Sequence, residues 1–372
     1  MQLCAINEPF FPNLKTFDWW GIGESHIPFI PLFLSPRTTH ISLIFESGSP
    51  VTMVASMITI LPTLCPNLQV INFCHLPRDP MITAAVSRMF LATNRNSLQE
   101  FGADSPLTEE ASEVLYKLPN LRGLSVAIEK ETSPPSALLP DLIQLVITCD
   151  NEDGWPQLLH GATLGNLGSV IFCPQSEQLG DFLGAFERAA LSSSVQNTLW
   201  EFCLYTPHPW NPNYSSLLPF TQLVVLDIES SCDGGCTSMV DDDIIISLSR
   251  AIPKLETLRL GDAPCSQITT GVTTKGLVAL ARHCPNLLTL RIHFQVASLG
   301  HPPTIPAASW TDCALREFEV GRIPVPKGLE VTIVRTLLRI FPHIDDILFI
   351  DDTEWLCLRD LLNVCSNLDT SR

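Results

Sequence analysis

Three places in this chain have residue types and spacing that bear on chemistry. Cys232-Asp-Gly-Gly-Cys236 has the spacing of half a zinc site, with Cys265 and His283 downstream but no second pair at matching spacing. Core or loop thiols are the better reading, and no metal is expected. Asp241-Asp242-Asp243 reads as a helix cap, where carboxylates meet the positive end of the dipole, rather than as a cation site. Gly21-Ile22-Gly23 follows a strand pattern, but a third glycine is missing and Pro28 stands where a nucleotide-binding turn needs a helix. No GxSxG, phosphate-binding loop or HExxH occurs, and the nine histidines lack a paired nucleophile pattern. No catalytic residue or cofactor is therefore assigned, and the chain reads as a non-enzyme.

The elements around these residues are set by a repeat. Lys254 to Ile292 opens with Leu255, Leu258 and Leu260 and closes, one unit of 32 residues later, with Leu287, Leu290 and Ile292. In this LxxLxL spacing the last two apolar positions share one side of a short strand. An amphipathic helix is predicted over Thr273–His283, capped by Thr273 or Thr274 and stopped at Cys284 by Pro285. Such a unit cannot bury its apolar side alone and must stack on its neighbours. Comparable triplets begin at Leu14, Thr38, Leu68, Leu98, Leu121, Leu142, Leu167, Leu199, Leu223, Leu315 and Ile344, with steps of 21 to 32 residues. Further helices are predicted near 51–64, 80–94, 108–117, 179–192, 241–252, 328–340 and 353–364. The interval from Leu121 to Leu142 is predicted to be a loop. The expected fold is an α/β leucine-rich-repeat solenoid, a horseshoe with strands on the concave face and helices on the convex one. It would span 1–372 as a single domain of about 12–13 irregular repeats.

Ile268, Gly276-Leu277, Leu280-Ala281 and Cys284-Pro285-Asn286-Leu287 resemble the cysteine-containing leucine-rich repeats of F-box proteins, the divergent fungal-type members above all. The Pro-Asn-Leu lead-in recurs at Pro12, Pro66 and Pro119. The resemblance implies a substrate-recognition module, with docking to the adaptor of a cullin-type ubiquitin ligase. The F-box segment itself is not visible, since the first triplet begins at Leu14. The alternative is a free-standing repeat protein serving as scaffold, inhibitor or GTPase-regulating factor with no ligase link.

Composition narrows the partner. Hydrophobic residues make up 45% and charged residues 16%, which suits a long packed core. The net charge of −17 repels phosphate backbones, so nucleic acid is excluded as a partner and a basic protein surface is the better match. No signal peptide or membrane-spanning run is visible, so no membrane partner is expected and a cytoplasmic or nuclear location follows. The 13 cysteines read as reduced, and Cys65, Cys284 and Cys365 share one repeat position, which argues for a structural role.

Binding residues follow from the strand register. The residue between the last two apolar positions of each triplet, and the one after them, should face the concave side. In the middle of the chain these are Val146, Thr148, Ile171, Cys173, Cys203 and Tyr205, an apolar set. Toward the C-terminus they are Asp227, Glu229, Arg259, Arg291 and His293, a charged set followed by Glu319. At the N-terminal end they are Asp18, Trp20, Asn72, Cys74 and Asp104. Trp210 and Tyr214, in a proline-rich insert, are candidate loop anchors, the alternative being that they pack on the edge of the solenoid.

Overall fold

A computed structural model describes residues 9–93, 97–115, 117–128, 141–149, 164–175, 179, 181–207, 212–230, 240–261, 271–292, 294–299, 313–320 and 328–349. Each of the 13 leucine-type triplets produces a strand. These are β1 (Thr16–Ile22), β2 (His40–Phe45), β3 (Val70–Cys74), β4 (Glu100–Ala103), β5 (Gly123–Ile128), β6 (Gln144–Cys149) and β7 (Ser169–Pro174). They continue with β8 (Glu201–Thr206), β9 (Val225–Ser230), β10 (Thr257–Leu260), β11 (Thr289–Ile292), β12 (Glu317–Val320) and β13 (Asp346–Phe349). Helices fall between them: α1 (Ile30–Phe33), α2 (Val51–Leu64), α3 (Pro80–Ala92), α4 (Glu109–Leu115), α5 (Phe182–Ser192), α6 (Asp242–Ala251), α7 (Thr274–His283), α8 (Val296–Leu299) and α9 (Glu330–Ile340). The chain is thus α/β with parallel strands. The helix expected over 353–364 and the loop expected between Leu121 and Leu142, from residue 129 to 140, lie outside the described residues.

The chain forms two compact units, Met1–Val170 with Ser192–Val195, and Ile171–Leu191 with Gln196–Arg372. In the first, β1 to β6 pair in chain order, all parallel. In the second, β8 to β13 do the same. Chain-order parallel pairing needs a crossover between every two strands, and the helices described between strands serve as such crossovers.

Register puts equivalent apolar residues side by side. In the second unit Leu226, Leu258, Leu290, Phe318 and Ile347 are consecutive partners, and all are 0% exposed. In the first unit Ile41, Ile71, Phe101, Leu124 and Leu145 form the matching buried row. Between helices and strands the second unit packs Phe186 against Phe202 and stacks it on Phe220, with ring centroids 4.8 and 5.2 Å apart. In the first unit Phe33 of α1 gathers Phe10, Phe11, Phe17 and Trp19 within 6.1 Å. Among the described residues no helix is long and apolar enough to cross a membrane.

The helices stop for a shared reason. Cys65, Ile252, Cys284 and Phe341 each precede a proline and each caps its helix, with φ from −118 to −130° and ψ from 69 to 83°. The ring of the following proline disfavours helical geometry there, so the chain turns out of the helix into the next triplet. The cap cysteines are buried, and Cys284 Sγ donates to the carbonyls of Ser249 and Ile252 at 3.7 Å. Burial pushes the Cys65 thiol up to about 11 and the Cys284 thiol up to about 12. Both therefore stay protonated at neutral pH, as packing groups rather than nucleophiles.

The helix starts are tied from one repeat to the next. Asp241 caps its own helix by accepting from the Ile244 N–H at 2.9 Å. Asp242, the first residue of α6, instead reaches the start of α7. It accepts from the N–H groups of Thr273 and Gly276 at 2.8 and 2.9 Å and from the Thr273 hydroxyl at 2.5 Å. Thr273 in turn caps α7 on Lys275 N, as its sequence position suggests. Asp243 pairs with exposed Lys275 at 3.4 Å. Ser87 of α3 plays the bridging part in the first unit, accepting from Thr108 N ahead of α4.

Asp242→Ala strips three donors of a charged acceptor and should cost about 1–3 kcal/mol, whereas Asp243→Ala should change little. Leu258→Ala should cost about 2–5 kcal/mol, because it opens a cavity in a row with no exposed member. Equilibrium urea unfolding of the three variants checks both statements; an unshifted midpoint for Leu258→Ala would disprove the register.

Candidate functional site

The side of each strand turned away from the buried rows is the open face, and in the second unit it carries a charged strip. Cys203, Asp227, Arg259, Arg291, Glu319 and Leu348 are successive register partners across β8 to β13. Parallel pairing puts two arginines directly opposite each other, which is unfavourable for like charges. Each guanidinium escapes by crossing its neighbour. Arg259 passes over β11 to Glu319, donating from Nε at 3.2 Å and Nη2 at 2.7 Å, and stays 3.6 Å from Asp227 on the other side. Arg291 runs the opposite way, donating from Nη2 to Glu229 Oε1, and lies 3.8 Å from Asp227 and 3.6 Å from Glu319. The partners sit two strands away, about 10 Å at ordinary strand spacing. Only side chains as long as arginine span that distance.

The strip is deeper than an exposed ion-pair cluster. Asp227 is 5% exposed and Arg291 12%, while Arg259 at 32% and Glu229 at 37% reach the surface. Tyr205 lies in register beside Glu229 and donates its hydroxyl to Asp227 Oδ2 at 3.3 Å. Burial raises the Asp227 carboxyl above its ordinary range, and the opposing pull of Arg291 and Arg259 does not cancel it. Burial alone would lower Arg259, but the hydrogen bond and charge of Glu319, with Asp227 behind them, hold it above its ordinary value. Burial also pushes the Cys203 thiol up to about 12. The arginines are fixed cations, Cys203 is neutral, and Asp227 is the group whose charge is most costly.

Structure and sequence place the expected residues differently. Asp227, Glu229, Arg259 and Arg291 meet in one network, with Glu319 completing it. Tyr205 is on the open face, 36% exposed, whereas Cys203, expected outward, is buried at 3%. Tyr214 is a correction. It opens a short 3-10 helix, Tyr214–Leu217, and is 3% exposed, so it is a core residue and not a loop anchor. Leu217 and Phe220, close by in sequence, are buried as well. Trp210 and His293 lie outside the described residues. Ile171 and Cys173 on β7 are half-buried. Leu348, 38% exposed and next to Glu319, was not foreseen, although its place after Ile347 in the last triplet marks it.

The first unit has a different open face. Asp18, Ser42, Asn72, Gly102, Ser125 and Val146 are register partners, mostly small and polar. At the C-terminal ends of β3 to β6 a cleft of about 490 Å³ opens between Pro77, Asp79, Asp104, Leu107, Ile128 and Thr148. Asp104 is committed to structure. Its carboxylate accepts from the N–H groups of His75 and Leu76, supporting the left-handed backbone of His75 at φ 58°. Val146 and Thr148 are both half-buried in this unit. Among the described residues no cluster of three or more His, Cys, Asp or Glu side chains is arranged to hold a metal ion.

No model of a known protein family and no curated protein matches the chain.

The raised Asp227 carboxyl has a definite consequence for stability. The folded state holds this proton more tightly than the unfolded chain. Its contribution is therefore fully present below the ordinary value of 3.8 and is lost as pH rises through the raised folded value. Urea unfolding of Asp227→Asn across that window should show a flatter loss of stability with pH than the wild type. Parallel pH curves for the two proteins would assign the titration to another group.

Proposed function

We propose that this chain is a protein-recognition module, a leucine-rich-repeat solenoid in horseshoe form that engages a protein partner through the open face of its strands. The observation that supports this most is the strip of Tyr205, Asp227, Glu229, Arg259, Arg291 and Glu319. Aromatic and arginine side chains, the types that anchor interfaces, are held here on rigid strands rather than on loops. Exposed Tyr205 and Leu348 border the charges with apolar surface, giving the mixed character of a recognition patch. Nothing in the strip is arranged as nucleophile and base, so binding rather than turnover is its use.

On this reading the resemblance of the Cys-Pro-Asn-Leu repeats to those of F-box proteins makes the partner a substrate to be presented to a ubiquitin ligase. The free-standing alternative uses the same face without that link. Purification of the tagged chain from its own cells, beside Leu348→Asp and Tyr205→Ala, separates the two. A protein retained by the wild type and reduced about tenfold or more by both variants is the expected ligand of the face. Recovery of a cullin-ligase adaptor, insensitive to both substitutions, supports the ligase link. Its consistent absence favours the free-standing module. A set of retained proteins unaffected by either variant removes the open face from consideration.

A further inference from the structure

The strip holds two groups that the fold leaves unmatched. Arg291 Nε and Asp227 Oδ1 are buried and have no hydrogen-bond partner. Oδ1 is not far from a partner, since Arg291 Nη2 lies 3.8 Å from it. What holds the guanidinium away is Glu229, whose Oε1 takes the Nη2 proton. Glu229 is also the outermost of the five charged groups, at 37% exposure against 5% for Asp227. The free protein therefore keeps an inner donor and acceptor apart in order to satisfy an outer carboxylate. An unmatched buried carboxylate oxygen is costly, and the cost at Asp227 falls if Arg291 Nη2 closes by about 1 Å onto it.

We propose that Glu229 and Tyr205 form the docking point for a basic side chain of a protein partner, arginine for preference, and that its arrival releases Arg291 to close on Asp227. The proposal rests on the strand-face reading above and names the chemistry of the partner. Charge selects the sign. Three carboxylates face two guanidiniums, a formal −1, in a chain of net −17, so a cation is drawn in and an anion repelled. Geometry selects the type. Glu229 offers its second carboxylate oxygen, and the half-exposed ring of Tyr205 stands beside it in register to receive a flat guanidinium. The incoming cation takes over Glu229, Arg291 swings inward, and Asp227 Oδ1 gains a charged partner. Part of the binding free energy is thus stored in the unbound protein.

The test uses the full chain labelled with nitrogen-15 at arginine and titrated with N-acetyl-arginine methylamide, a single guanidinium with neutral ends. The Arg291 Nε–H resonance should shift as probe is added, because the guanidinium moves. Glu229→Gln should weaken the response about tenfold, yet melt at the wild-type temperature or above, because it frees Arg291 for Asp227. A purely structural ion pair behaves oppositely: Glu229→Gln melts lower and leaves the response unchanged, which overturns the proposal. An equal response to N-acetyl-glutamate methylamide overturns it in favour of an anion site. If neither probe moves Arg291 while Leu348→Asp still loses the cellular partner, the strand face stands as a binding surface and its basic-residue chemistry falls.

Discussion

Everything in each unit depends on parallel strands meeting without a slip in register. The buried rows exist only because Leu226, Leu258, Leu290, Phe318 and Ile347 arrive side by side, and a shift of one residue would turn every one of them toward the open face. The same alignment is indifferent to what the alternate positions carry. It places Arg259 against Arg291 as firmly as it places leucine against leucine. The crossed ion pairs are the answer to a collision that the hydrophobic rows impose. In this way the core determines the layout of the face on its other side.

Helix termination has a similar economy. The X-Pro steps at Cys65, Ile252, Cys284 and Phe341 end a helix and point the chain into the next strand with one backbone geometry. A side chain at that step faces the interior, which is why thiols and large apolar groups are found there and why their chemistry is suppressed.

Much of this was legible in the sequence. The thirteen triplets located the strands because an apolar pair two residues apart has one reading once it recurs with helices between. Helix limits such as Val51–Leu64 followed from proline stops and caps. The alternation of the strands also brought Asp227, Glu229, Arg259 and Arg291 to one face before any coordinates. What could not be read was depth and pairing. Tyr214 reads from sequence as either a loop anchor or an edge-packing residue, and only its 3% exposure decides between them. The crossing of the two arginines depends on partners sixty residues away in sequence, and no local pattern distinguishes it from pairing with the nearest acid. Cys203 sits at an outward position yet is 3% exposed, which alternation does not encode.

The bridge made by Asp242 bears on how the second unit responds to force. The carboxylate belongs to the first turn of one helix and closes the first turn of the next, so neither end can loosen while the other is intact. A pull that frays α7 at Thr273 is resisted by α6, and the load passes into the strand row beneath both. Extension of this unit should therefore proceed in steps larger than one helix, with adjacent helices yielding together. A face laid across several strands keeps its layout under such a load, because tension at one point is shared between neighbouring helices before either gives way.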